Sequence, residues 1–230
     1  MDFCLLSFSD NGALALKIKQ EKIMKYLLTI LLAISTLLVA QDEPQIPGWG
    51  VYVGGALNSV TMDPEQEGVT LGSQLNLPFV GVSRGIQLGG FPLLVGAGLG
   101  KRGYSMEMEA FGIKMESKAS LDLLDFWATV PYPVGPVIAQ VGFVYGIGLG
   151  SGKVEIDIDG TTIEEDIEGE FGDETDFGLI FGAAYPINQN IGINFGYALG
   201  LKDQGEGEGE DEDGFGMKYN GLYLLLGYNF

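Results

Sequence analysis

The stretch "VIAQVGFVYGIGLGSG", Val137 to Gly152, decides the fold. Its odd positions read Val137, Ala139, Val141, Phe143, Tyr145, Ile147 and Leu149, while the even ones include Gln140, Gly142, Gly146, Gly148 and Gly150. A period of two over that length marks a β-strand, because successive side chains leave opposite faces of the pleat. One face is apolar and aromatic; the other is nearly bare. The split recurs in "DFGLIFGAAY" (176–185), where Phe177, Leu179, Phe181, Ala183 and Tyr185 oppose Asp176, Gly178, Gly182 and Ala184. It recurs again in "IGINFGYALGLK" (191–202), with Ile191, Ile193, Phe195, Tyr197 and Leu199 against Gly192, Asn194, Gly196 and Gly200. A soluble sandwich or lipocalin-like barrel turns its large apolar residues inward and its polar ones to water, and this bare face is neither a charged surface nor a bulky core. A narrow barrel in lipid fits both faces: large side chains meet acyl chains, and small ones leave room inside for a few polar residues. Trp49, Tyr185 and Tyr228 fall at strand ends, where interfacial aromatics belong.

Composition agrees. The 230 residues include 37 Gly, about twice the usual share, but only 9 Pro and no G-X-Y period, which excludes collagen and a disordered tract. There is no His, so the commonest general base and the commonest neutral metal ligand are missing together. The single Cys4 cannot form an internal disulfide. Residues 26–40, "YLLTILLAISTLLVA", are too short to span a bilayer as a helix but suit the apolar region of a secretory signal, with Lys17, Lys19, Lys22 and Lys25 before it and Ala40 as the cleavage point. The expected organisation is therefore residues 1–23 as an over-extended gene start or a real N-terminal extension, 24–40 as a signal peptide, and 41–230 as the barrel. Residues 1–40 hold 4 of the 12 basic and 3 of the 31 acidic residues; without them 8 basic and 28 acidic remain, a net of -20. That sign excludes a nucleic-acid partner.

Eight strands are expected, at 49–59, 76–88, 92–109, 113–130, 137–158, 162–185, 191–202 and 218–230, each at or above the roughly 9–11 residues that cross a bilayer at a tilt. Their connections alternate in character. Gly89-Gly90, "PYPVGP" (131–136) and "PINQN" (186–190) are short, whereas 60–75 and "DQGEGEGEDEDGFGM" (203–217) are long and acidic. Short turns on one side and long loops on the other define an up-and-down antiparallel barrel with both termini on the short-turn side. A turn at Phe111-Gly112 sets Glu109 opposite Lys114 and Met108 opposite Met115, and Asp159-Gly160 is a two-residue hairpin signal. Both hairpins are expected to project into water. In "PFVGVSRGIQLGG" (78–90) the pattern places Arg84 on the lipid side, where either a bulge turns it inward or its side chain snorkels towards the nearby turn.

Three stretches, "LLVGAGLGKRG" (93–103), "DFGLIFGAAYPINQNIGINFGYALGLKD" (176–203) and the ending "YNGLYLLLGYNF" (219–230), resemble the outer-membrane β-barrel domain proteins of the PorT-like group. The resemblance implies an eight-stranded transmembrane barrel in the outer membrane of a double-membraned bacterium, exported through the signal peptide and contacting outer-membrane lipids. It also implies that Leu222, Leu224, Leu226, Tyr228 and Phe230 form a C-terminal assembly signal read by the barrel assembly machinery. Outer-membrane barrel enzymes such as the lipid A deacylases and omptin-like proteases depend on a histidine, so the resemblance carries no catalysis here.

Other chemistry is thin. "GLGKRG" (98–103) has the letters of a dinucleotide fingerprint, but no helix follows it, and the glycines read better as the inner barrel face. Lys101 and Arg102 are expected at the outer rim against acidic headgroups, while Asp122 and Asp125 are expected to balance Arg84 or Arg102 inside a narrow lumen. Asp157, Asp159, Asp211 and Asp213 offer hard oxygen ligands for a divalent cation without any EF-hand spacing. No cofactor and no catalytic residue is expected. The function expected is a non-enzymatic barrel whose acidic outer loops mediate surface interaction or envelope integrity; a small pore or hydrophobic-compound conduit and a secreted soluble Ca-binding β protein are the alternatives.

Overall fold

The computed structural model describes residues 48–63, 68–110, 113–158, 160–168, 175–202 and 216–230. The expected signal peptide and the segment before it lie outside the described residues. Nine strands follow in order: β1 (Trp49–Asp63), β2 (Val69–Leu88), β3 (Phe91–Ala110), β4 (Ile113–Val134), β5 (Val137–Ile158), β6 (Thr161–Glu168), β7 (Thr175–Pro186), β8 (Ile191–Gly200) and β9 (Gly216–Asn229).

Each stave pairs antiparallel with its neighbours, and β9 returns to β1 along 14 residues, from Gly50 opposite Asn229 to Asp63 opposite Gly216. The closed ring runs β1-β2-β3-β4-β5-β7-β8-β9, which makes eight staves. Closure pairs the backbone N–H and C=O groups of the wall within the sheet, the condition for crossing hydrocarbon with strands. Among the described residues, β6 stands outside the ring and pairs with 151–158 of β5 alone, while β7 takes 138–147 of the same strand. The segment 162–185, expected as one crossing strand, is thus divided between an outer hairpin and a stave. The division coincides with a bulge in β5: Leu121 faces Gly152 but Leu123 faces Gly148, and Gly150 adopts φ +71 between them, in the region that favours glycine.

The in/out alternation is as read from the sequence. Phe143, Phe181 and Phe195 are 52%, 46% and 49% exposed, and Trp49, Tyr185 and Tyr228 share that outward surface. Buried side chains include Tyr52, Asn58, Ser83, Leu94, Arg102, Val144 and Asp176. Arg84 is exposed, and its guanidinium lies 5.2 Å from the centroid of the Trp49 ring, at the end of the barrel where the chain enters. Of the two orientations open to it, the outward one holds, with the cation resting on an interfacial aromatic face.

Beyond the wall, the long strands continue as an extension of the same sheet. Glu109 pairs with Lys114 and Met108 with Met115, as expected, and Ile158 opposite Thr161 fixes the two-residue β5–β6 turn, in which Gly160 has φ +81. The outer parts of β2, β3, β4 and β5 together with β6 form this extension. The ladder between β1 and β2 ends at Asn58 opposite Gln74, so the outer ends of β1 and β9 continue as a two-stranded antiparallel ribbon, from Ser59 opposite Asn220 to Asp63 opposite Gly216.

Candidate functional site

The lumen is the natural place to look for a conduit, and it is filled in layers. Glycines create the floor on which rings lie. A Cβ on Gly96 would collide with the Trp127 indole, one on Gly81 would come within 2.8 Å of it, and Cβ atoms on Gly98 and Gly100 would come within 2.7 and 2.8 Å of Phe79. Tyr223 occupies the space over Gly182 and Gly196 in the same way. The bare face is therefore not an empty lumen. Its missing side chains are replaced by rings reaching across from other staves, with Trp127 set against Phe79 at 5.8 Å and edge-on to Tyr52 at 6.4 Å. Tyr52 in turn bonds Ser83, hydroxyl to hydroxyl, at 3.2 Å.

Above the rings sits an ionic layer. Arg102 donates from Nη1 to Asp125 at 2.7 Å and from Nε to Asp176 at 2.9 Å, with side-chain exposures of 10%, 13% and 6% for the three residues. β3, β4 and β7 supply them, so the guanidinium reaches over β5 and ties staves that are three steps apart round the ring. Gly146 on β5 clears the path, since a Cβ there would stand 2.8 Å from both Arg102 and Asp125. Among the described residues, neither Asp176 Oδ1 nor Thr129 Oγ1 finds a hydrogen-bond partner. A cavity of about 120 Å³ is lined by Asn58, Asn76, Thr129, Gln140, Asn194 and Tyr223, among others. That is room for a few waters near these buried polar atoms.

At the outer mouth Val60, Leu121, Leu123 and Tyr219 form a buried apolar cluster, against which Leu71, Tyr104 and Met217 pack. Tyr104 and Tyr219 face each other at 6.3 Å. From outside inward, the lumen thus presents hydrocarbon, then an ion cluster, then amides and rings.

Arg102 does not reach a headgroup: it points into the lumen, because it continues the inward parity of Gly96, Gly98 and Gly100. Lys101 points the other way and pairs with Asp122 at 3.1 Å, and Asp122 also accepts from Ser151 at 2.9 Å. Of the lumen pairings expected, Arg102 with Asp125 is present, whereas Asp122 and Arg84 are both on the outer surface. Asp176 was not expected as the third member, although its place on the bare face was legible. Leu222, Leu224, Leu226, Tyr228 and Phe230 lie on the exposed face of the closing strand or at its end, with the Tyr228 and Phe230 rings 5.2 Å apart and nearly perpendicular. The Phe230 N–H donates to the Trp49 carbonyl at 2.8 Å, which ties the chain end to the first stave. Asp157 is engaged within its hairpin, accepting from the Gly160 N–H at 2.9 Å and from Thr162 at 3.0 Å. Asp159, Asp211 and Asp213 lie outside the described residues. Among the described residues no group of three acidic side chains is placed to hold a metal ion.

A closed ring with rings and aliphatic chains on its outside and ions inside is a transmembrane β-barrel. The chain belongs to the outer membrane protein beta-barrel domain family, whose model matches residues 27–230. It is a bacterial outer-membrane protein, and the secreted soluble alternative falls with that assignment and with the exposed phenylalanines. The match is at the level of the family; the PorT-like likeness goes no further than the stretches quoted above. Among solved structures, Neisserial surface protein A is similar at 13% identity over 81% of this chain and 100% of that one, with a TM-score of 0.41. Ail of Yersinia pestis matches at 13% over 80% and 100%, TM-score 0.38, and OprG of Pseudomonas aeruginosa at 10% over 83% and 99%, TM-score 0.39. No curated protein matches the sequence.

Proposed function

We propose that the chain is a non-enzymatic outer-membrane barrel whose wall is an anchor and whose acidic outer sheet is the working surface, engaging surface ligands or sustaining envelope integrity. The observation that carries this reading is a row of like charges across the outer sheet: Glu107 stands opposite Glu116, which stands opposite Asp157, and Glu155 stands opposite Glu164. Lys118, 3.0 Å from Glu116 and opposite Glu155, offsets part of this repulsion, but five carboxylates against one ammonium leave the surface negative, and directly opposed like charges cost stability that a sheet built only for folding would not give up. The layered lumen argues against the conduit, because an apolar plug and an ion bridge lie in series along the axis.

The test is complementation. A deletion strain supplied with the wild-type barrel should regain detergent resistance, while a barrel with Glu107, Glu116, Glu155 and Glu164 changed to Gln should insert normally and fail to restore it. Equal restoration by both overturns the working-surface reading. In planar bilayers the wild-type protein should be silent; discrete conductance steps would favour the conduit. The C-terminal residues Leu222, Leu224, Leu226, Tyr228 and Phe230 are proposed to serve assembly, as a last strand offered for edge pairing with the barrel assembly machinery before the ring closes.

A further inference from the structure

The five methionines among the described residues, Met62, Met106, Met108, Met115 and Met217, all lie at the outer end, and none is in the lipid-facing wall. The wall meets its need for hydrocarbon with Leu, Val, Ile and Phe, so methionine's confinement to the aqueous end is not a demand for greasiness. Their placement is ordered. Met108 is directly opposite Met115 across the β3–β4 hairpin, and Met106, two residues before Met108, shares its face. All three are half-buried, and Met108 and Met115 line an open groove of about 730 Å³ together with Val69, Thr70, Glu116 and Asp157. Opposed residues on a sheet hold their Cβ atoms roughly 5 Å apart and a same-face neighbour stands at roughly 7 Å, distances that three unbranched, freely rotating thioether side chains can close upon one ion.

The geometry points to a soft monovalent metal site, with Met106, Met108 and Met115 supplying three thioether sulfurs to Cu(I). Thioethers select Cu(I), and Ag(I) as its redox-inert counterpart, over the hard cations that carboxylates take. The chain has no histidine, and its one cysteine lies at position 4, before the barrel, so no stronger soft ligand on the barrel competes for the ion. The strongly negative outer sheet raises the local concentration of any cation, while the sulfurs determine which one stays. The inference stands apart from the working-surface proposal, which concerns the carboxylates and not the sulfurs.

The test is titration of the folded barrel in detergent micelles with Ag(I), and anaerobically with Cu(I) against a chromophoric Cu(I) chelator, while the methyl resonances of carbon-13-labelled methionine are followed. The expected result is binding of one ion, shifts confined to the resonances of Met106, Met108 and Met115, and no displacement by Ca²⁺ or Zn²⁺. The volume-conserving variant M106L/M108L/M115L should keep the heat-modifiable gel mobility of a closed barrel and bind at least roughly tenfold more weakly. M62L, on the two-stranded β1–β9 ribbon, should bind as wild type. Undiminished binding by the triple variant, absence of Ag(I) binding by the wild type, or equal loss in M62L overturns the assignment.

Discussion

Replacing Arg102 with Met is the most informative single perturbation of the lumen. The guanidinium is held at 2.7 Å to Asp125 and 2.9 Å to Asp176, and all three side chains are nearly excluded from solvent. Removing one member of a buried ion pair typically costs about 3–5 kcal/mol, because a charge is left without a partner in a poorly solvated place. Here one substitution strands two carboxylates, so the upper end, about 5 kcal/mol, is expected for Arg102→Met. With a urea slope of about 2 kcal/mol/M, the unfolding midpoint should fall by roughly 2.5 M. The companion variant R102M/D125N/D176N removes every charge together, and since neutral replacement of a whole buried ion cluster is often tolerated, it should recover to within about 2 kcal/mol of wild type. Urea unfolding in micelles, read by heat-modifiable mobility and by Trp127 fluorescence in a Trp49→Phe background, measures both. A single variant within about 1 kcal/mol of wild type, or a triple variant no more stable than the single one, refutes the argument that the layer is an interlocked charge cluster.

Gly96→Val should drive the Trp127 ring off its floor, lower folding yield and alter the Trp127 emission, whereas Gly89→Ala in the β2–β3 turn, where no atom of the described residues lies within 4 Å of the site of a Cβ but φ is +57, should cost only about 1–2 kcal/mol of backbone strain and leave the emission unchanged. Deleting Phe230, or replacing it with Asp, should leave the protein exported but unassembled, seen as loss of the heat-modifiable band in envelope fractions. On the outer sheet, the Glu116 carboxylate 3.0 Å from Lys118 holds that ammonium protonated above its ordinary range. A raised value in the folded state means the contact contributes below the ordinary lysine pKa and is lost as pH rises through the folded one. Glu116→Gln should therefore bring the Lys118 titration down, as followed by nitrogen-15 NMR.

The wall was legible because a strand writes its two faces into alternate letters, and lipid outside with glycine inside leaves little ambiguity in Val137 to Leu149. The outer hairpin register was legible for a similar reason: a two-residue turn leaves one way to pair Glu109 with Lys114. The rim placement of Arg102 fails because parity sets the direction of its side chain: the alternate glycines 96, 98 and 100 point it inward, where the expected pairing with Asp125 forms. Which ring covers which glycine was not legible at all. That depends on the stagger between staves, so Trp127 on β4 fills space over Gly81 on β2 and Gly96 on β3, a relation no local pattern encodes. The division of 162–185 was hidden for a related reason, since the cause lies in a bulge on the partner strand at Gly150.

The reach of Arg102 from β3 to Asp176 on β7 has a mechanical consequence. A thin cylinder of eight staves ovalises readily when lateral pressure in the surrounding bilayer changes, but a tie-rod strung along a chord of the ring resists widening along its own direction while leaving the perpendicular one compliant. Breathing of the cross-section should therefore be anisotropic, stiff along the β3–β7 chord and soft at right angles to it.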